Sequence, residues 1–115
     1  MKKYFLMMLA VLGTAFTSQA QQAKNKSAKA DVEVSGNCDL CKKRIEKAAL
    51  GVKGVKMATW NADEQKLHLI LDENKTNVKN VEQAVAKAGH DTQDVKATSE
   101  AYENLHACCQ YDRES

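Results

Sequence analysis

An α+β domain, a four-stranded antiparallel sheet with two helices on one face, is predicted for this 115-residue chain from three observations. Short runs with alternating apolar residues mark strands, and two longer runs with apolar residues three and four apart mark helices. The elements follow one another as strand, helix, strand, strand, helix, strand. That order is the split βαβ, or ferredoxin-like, pattern βαββαβ. A short C-terminal tail follows it.

The first strand is read at Val32 and Val34, which alternate with Glu33 and Ser35 and run into a turn at Gly36-Asn37. The first helix follows, with Asp39 as a cap and Gly51 as its stop. Cys41, Ile45, Ala48 and Ala49 share one face of it, leaving Lys42, Lys43, Glu46 and Lys47 toward water. Residues 55–61 and 65–71 read as two strands joined at Ala62-Asp63-Glu64. In the second, Leu67, Leu69 and Leu71 lie on one face and His68 and Ile70 on the other, so His68 is expected on the open face of the sheet. Trp60, the only tryptophan, has no side fixed before the strand register is known, and packing on that uncovered face is one reading of it. The second helix spans residues 77–88, with Val78, Val81, Val85 and Ala88 along one stripe and Gly89 as its stop. Residues 90–97 are expected to form the fourth strand, and residues 99–111 a short helical tail.

Lys2 and Lys3 precede an apolar run over residues 5–12, and Ser18-Gln19-Ala20 supplies small residues at a cleavage position. This pattern predicts a secretory signal peptide, residues 1–20, and a periplasmic protein. The apolar run is well short of the roughly 20 residues needed to span a bilayer. No cysteine stands at the cleavage position, so no lipid anchor is expected. Residues 21–30, rich in Lys, Gln and Ala, read as a flexible leader, residues 31–98 as the domain and residues 99–115 as a cysteine-containing tail. Without Lys2 and Lys3, 15 basic residues face 15 acidic ones, a balance that argues against nucleic acid as a partner.

Chemistry concentrates in Cys38-Asp39-Leu40-Cys41. A thiol at a helix N-terminus meets unpaired N–H groups and the positive end of the dipole, which favour the thiolate. Lys42, Lys43 and Arg44 act in the same sense. Two soft sulfurs on one loop are what Cu(I), Zn(II) or Hg(II) selects. Two other readings stand beside this one. A CxxC at a helix start is also a redox motif, although the chain has no proline to serve as the cis-proline of a thioredoxin-like site. Four cysteines in an exported protein can equally form two structural disulfides, in three connectivities, within an interaction domain. No Ser/His/Asp set or phosphate-binding glycine loop suggests an enzyme.

Asn37-Cys38-Asp39-Leu40-Cys41, after a strand ending in Gly36 and before a helix with Ile45, resembles the heavy-metal-associated domain of copper chaperones, metal-exporting P-type ATPases and periplasmic mercury-binding proteins. The similarity covers residues 31–98. It implies one ion held by the thiolates of Cys38 and Cys41 and passed to a partner by ligand exchange. Cu(I) is the first choice of metal, with Zn(II) and Hg(II) as alternatives. The expected partner is a metal-transporting or metal-accepting protein, acidic where it meets Lys42, Lys43, Arg44 and Lys47, and the expected state is a monomer or a metal-bridged dimer. Many members also carry a methionine packed under the loop, where this chain has Ser35-Gly36-Asn37. His90, in the loop after the second helix, stands where some copper chaperones place a coordinating histidine, and reads either as a third ligand or as a solvent-facing residue. Cys108 and Cys109, beyond the ordinary domain, have three readings: further ligands beside Cys38 and Cys41, disulfide partners, or a separate docking point for metal.

Overall fold

The computed structural model describes residues 24–113; the expected signal peptide lies outside them. In chain order the elements are β1 (Ala28–Glu33), α1 (Asp39–Leu50), β2 (Val55–Asn61), β3 (Lys66–Leu71), α2 (Val78–Lys87) and α3 (Ser99–Glu103), then one 3-10 turn (Ala107–Cys109). β3 lies between β1 and β2, antiparallel to both.

β1 begins at Ala28, opposite Leu71, inside the segment expected to be a flexible leader. Asn25 extends the pairing: its N–H donates to Glu73 Oε1 (2.8 Å) and its carbonyl accepts from Glu73 N–H (2.9 Å). Ala28 and Ala30 continue the core side of Val32, but alanine is too weakly apolar to mark a strand against a lysine-rich background.

The fourth strand does not form, so the sheet has three strands and not the four expected. Residues 90–97 make a single bridge, Val34 with Thr92, and two neighbouring backbone hydrogen bonds, Ser35 N–H to Asp91 O and Gln93 N–H to Glu33 O (3.0 Å), at the end of β1 and just beyond it. The chain then reverses: Thr92 N–H donates to Val95 O (2.8 Å), and Val95 N–H donates back to Thr92 Oγ1 (3.0 Å). The Glu82 carboxylate on α2, 2% exposed, fixes this reversal by accepting from Thr92 Oγ1 (3.0 Å) and Asp94 N–H (3.1 Å). A buried carboxylate satisfied by these two donors leaves Asp94 turned out of the strand path.

α1 and α2 lie over one face of the sheet. Ile45, Ala49, Val81 and Val85 meet Val32, Ala58, Trp60, Leu67, Leu69 and Leu71 in one core. Trp60 is therefore on the helix-covered face, not the open one, since the β2 register places it opposite Leu67. Its position brings indole Nε1–H to Val34 O (3.0 Å) and its backbone N–H to Glu46 Oε2 on α1 (2.8 Å). α2 starts at Asn77, whose side chain accepts from Asn80 N–H (2.9 Å). Gly89, at φ +112, ends that segment in a conformation that disfavours a side chain.

On the open face His68 is held between two carboxylates, Asp31 Oδ1 at Nδ1 and Glu64 Oε1 at Nε2, each at 2.7 Å. Asp31 is its cross-strand neighbour on β1. These partners raise the His68 pKa, Asp31 first and Glu64 next. A raised folded pKa stabilises the fold fully below the unfolded value of about 6.5, and the effect fades as pH rises through the folded value. Proton NMR should place the His68 midpoint above that of a free imidazole, and Asp31→Asn and Glu64→Gln should each lower it.

Replacing Glu82 by Leu should cost about 1–3 kcal/mol in urea unfolding, because Thr92 and Asp94 lose a charged acceptor. Val81→Ala on the same helix sets the scale for loss of packing alone.

Candidate metal centre

Cys38 is the residue at which the loop becomes helix. Its backbone is extended (φ −135°, ψ 178°), and its carbonyl accepts the first helical bond, from Lys42 N–H (3.0 Å). Cys41, one turn on, is buried on the core side of α1, as its place in the apolar stripe requires. The two sulfurs are 3.5 Å apart.

The floor of the loop is made by Trp60. A Cβ added at Gly36 would come within 3.1 Å of the Trp60 ring and 3.2 Å of Cys41 Cβ, so glycine lets the indole approach the chain just before the cysteines. An apolar support thus reaches the loop from β2, in a protein whose Ser35-Gly36-Asn37 has no methionine to supply one.

The C-terminal tail returns to this loop. Cys108 Sγ lies 3.2 Å and Cys109 Sγ 3.3 Å from Cys38 Sγ, and the tail sulfurs are 4.0 Å from each other. Sulfurs of Cys38, Cys108 and Cys109 all fall within 4.8 Å of one another, and Cys41 joins them through Cys38. All four cysteines are free thiols. Cys41 and Cys109 are buried, Cys38 is half-buried and Cys108 is exposed.

Cys38 is the hub. Burial works against its ionisation, but the thiols of Cys108, Cys109 and Cys41 and the Cys41 backbone N–H all favour the thiolate and bring its pKa down to about 6. The neighbours shift the other way. Contact with Cys38, then burial, raises the Cys108 pKa, and burial followed by contact with Cys41 and Cys38 raises that of Cys109. Cys38 is therefore the sulfur most readily ionised, and the Cys108 and Cys109 thiols beside it are held toward the protonated form.

His90 does not join the sulfurs. It is fully buried, with Nδ1–H donating to Ser35 O (2.8 Å) and its ring stacked on Tyr111 at 5.5 Å. Burial lowers its pKa, and Arg44 adds to the effect. It is neither solvent-facing nor within the sulfur group, and it braces the strand end that leads into the loop. Tyr111 was not foreseen in this role, since only the folded tail brings it under the loop after α2.

The model of the heavy-metal-associated domain matches residues 31–91. The chain belongs to this family. Its cysteine cluster is a soft-metal-binding arrangement of thiols, with Cys38 and Cys41 inside the matched region and Cys108 and Cys109 beyond it.

Solved structures of heavy-metal-associated proteins are similar to it. A CopZ metallochaperone is 26% identical, with 56% of this chain and 98% of that one covered and a TM-score of 0.55. The N-terminal domain of a potential copper-translocating P-type ATPase from Bacillus subtilis, in its Cu(I)-loaded state, is 25% identical over 63% of this chain and 99% of that one, at 0.54. Oxidized MerP from Ralstonia metallidurans CH34 is 26% identical over 57% and 96%, at 0.50. No curated protein matches the chain.

Titration of the reduced, metal-free protein, followed by thiolate absorbance in the ultraviolet, should show the Cys38 thiolate forming near pH 6 and those of Cys108 and Cys109 only above the ordinary thiol range of about 8.5. Cys108→Ala removes a thiol donor to Cys38 and should raise the low midpoint.

Proposed function

We propose that this heavy-metal-associated protein is an exported, periplasmic carrier of a soft cation, with Cu(I) as its first cargo, and that it binds and passes on the ion without catalysing a reaction. The observation that carries the reading is the pair Cys38 and Cys41, an ionised sulfur and a second one 3.5 Å away at the mouth of α1. Cu(I) prefers thiolates, and a site with one sulfur already ionised has fewer protons to displace on binding. Zn(II) and Hg(II) are bound by the same donors and are the alternative cargoes.

Transfer proceeds by exchange. A thiol of the acceptor gives its proton to water as its sulfur bonds the ion, and one bond to Cys38 or Cys41 breaks, Cys38 leaving as the thiolate. The ion stays bonded to sulfur throughout. The partner is a metal-transporting or metal-accepting protein, and a thiol-bearing domain of a transport ATPase is the kind that suits such a step. Leu40, 46% exposed between the two cysteines, offers it an apolar contact. Lys43 and Lys47 are exposed along the adjoining face of α1, whereas Lys42 is engaged with Glu46 and Trp60 O. An acidic contact surface on the partner follows, with association that weakens as salt rises.

The reduced protein should retain Cu(I) against a competing chelator, and Cys38→Ser or Cys41→Ser should weaken retention by more than the roughly 10–100-fold that a change around the ligands costs. Retention unchanged in both variants, or turnover in a disulfide-reduction assay, would sink the carrier reading.

A further inference from the structure

We infer that the tail segment 105–113 is a latched strap that places Cys108 and Cys109 on the cargo as third and fourth ligands, making this protein a gated holder of the ion. The inference rests on the reading of Cys38 and Cys41 as the primary pair. It adds what the family match over residues 31–91 does not contain.

Three thiols, those of Cys38, Cys108 and Cys109, stand within 4.8 Å of one another with Cys41 3.5 Å from Cys38, and the tail is fastened on both sides of its cysteines. Before them, Leu105 is buried against Gly89: a Cβ there would meet Leu105 Cδ2 at 2.8 Å. After them, the Tyr111 hydroxyl donates to Gly89 O (2.9 Å) and accepts from Asp91 N–H (2.7 Å). Arg113 then forks onto the Asp91 carboxylate through Nε (3.0 Å) and Nη2 (2.8 Å), and Nη2 also reaches Ala97 O (2.7 Å). Tyr102 completes the fastening, edge-on to Tyr111 at 5.1 Å and beneath the Arg113 guanidinium at 5.0 Å. Tyr111, Arg113 and Asp91 are positioning residues: none is a ligand, and together they hold the two tail thiols on Cys38.

The spacing suits a shared ion. With metal–sulfur bonds of about 2.3 Å, sulfurs around one trigonal or tetrahedral ion stand about 3.8–4.0 Å apart. The tail pair already stands at 4.0 Å, the contacts of 3.2, 3.3 and 3.5 Å around Cys38 open to that range by roughly 0.3–0.8 Å, and Cys41 closes on the tail sulfurs when all four share the ion. Each thiol that bonds the ion releases its proton to water.

A site closed in this way holds its cargo against an acceptor that offers only two sulfurs. Handover then needs the strap to lift. As an acceptor thiol gives up its proton and bonds the ion, the bond to Cys108 or Cys109 breaks and that sulfur takes a proton up. Exposed Cys108 is the sulfur an acceptor can displace first.

The test uses the reduced mature protein with Cu(I) alone as the probe. X-ray absorption counts the sulfurs, chelator competition measures retention, and a two-cysteine peptide serves as acceptor. The unmodified protein should show three or four sulfurs, and the Cys108→Ser/Cys109→Ser variant two, with weaker retention and faster transfer. Tyr111→Phe and Arg113→Met leave every cysteine in place. Each should lower retention by about 10–100-fold and speed transfer, with circular dichroism confirming that the domain stays folded. Equal sulfur counts and retention with and without the tail cysteines would overturn the inference. Tail-cysteine effects without any latch effect would overturn the gate. Cys38→Ser/Cys41→Ser separates the two readings: if that variant keeps the ion as tightly as the unmodified protein, the primary pair is wrongly assigned, whatever the tail does.

Discussion

The Glu82 carboxylate, buried on α2, accepts from Thr92 Oγ1 and Asp94 N–H, and the chain reverses there after one bridge to β1. Had residues 90–97 continued as a strand, the chain would have left the sheet at the end remote from the cysteine loop. The reversal instead sends it into α3, capped by Thr98 Oγ1, and back toward Gly89 and Asp91. A carboxylate held away from water is costly unless donors satisfy it, so this one is strongly committed to the turn that provides them. The sulfur centre depends on that turn as much as on its own cysteines.

At the centre, position and charge act together. Cys38 sits where α1 begins, so the unpaired N–H groups of the first turn favour a negative sulfur, and three neighbouring thiols reinforce it. The cluster is asymmetric as a result: Cys38 is biased toward the thiolate, and the tail thiols Cys108 and Cys109 toward the protonated form. Rigidity comes from below. Trp60 supports the loop at Gly36, and its bonds to Val34 and Glu46 tie β1, β2 and α1 to the same indole-bearing residue. His90 fixes Ser35 from the other side.

Local patterns in the sequence were enough to place the Cys38 and Cys41 pair, both main helices and the leucine face of β3, since each depends on residues a few positions apart. The features that were missed are those set by distant residues. Nothing near residues 90–97 reveals that Glu82 will capture Thr92, so the weak strand pattern there suggested a fourth strand that the turn prevents. Trp60 could not be assigned a face before the β2 register was known. The carboxylates around His68 come from β1 and from the turn before β3, one of them 37 residues away. The tail was legible as a candidate for the site through its two cysteines, but Tyr111 and Arg113 had no visible purpose until Asp91 and Gly89 stood beside them.

Retention and release make opposite demands, and the division of burial along the chain meets both. The domain core is built from β1, β2, β3, α1 and α2, with Ile45, Leu67, Val81 and Val85 fully buried. α3 buries no residue completely, and the tail joins that core through three side chains, Leu105, Cys109 and Tyr111, and adds one bidentate ion pair. Segments with so few buried contacts open locally at a free-energy cost well below that of global unfolding. The strap can therefore lift while the CxxC loop keeps its shape over Trp60, and the primary pair presents the ion to an acceptor from a site that has not unfolded. A strap that joined the core through many more side chains than Leu105, Cys109 and Tyr111 would hold the ion as firmly but could release it only by disrupting the helix that carries Cys41.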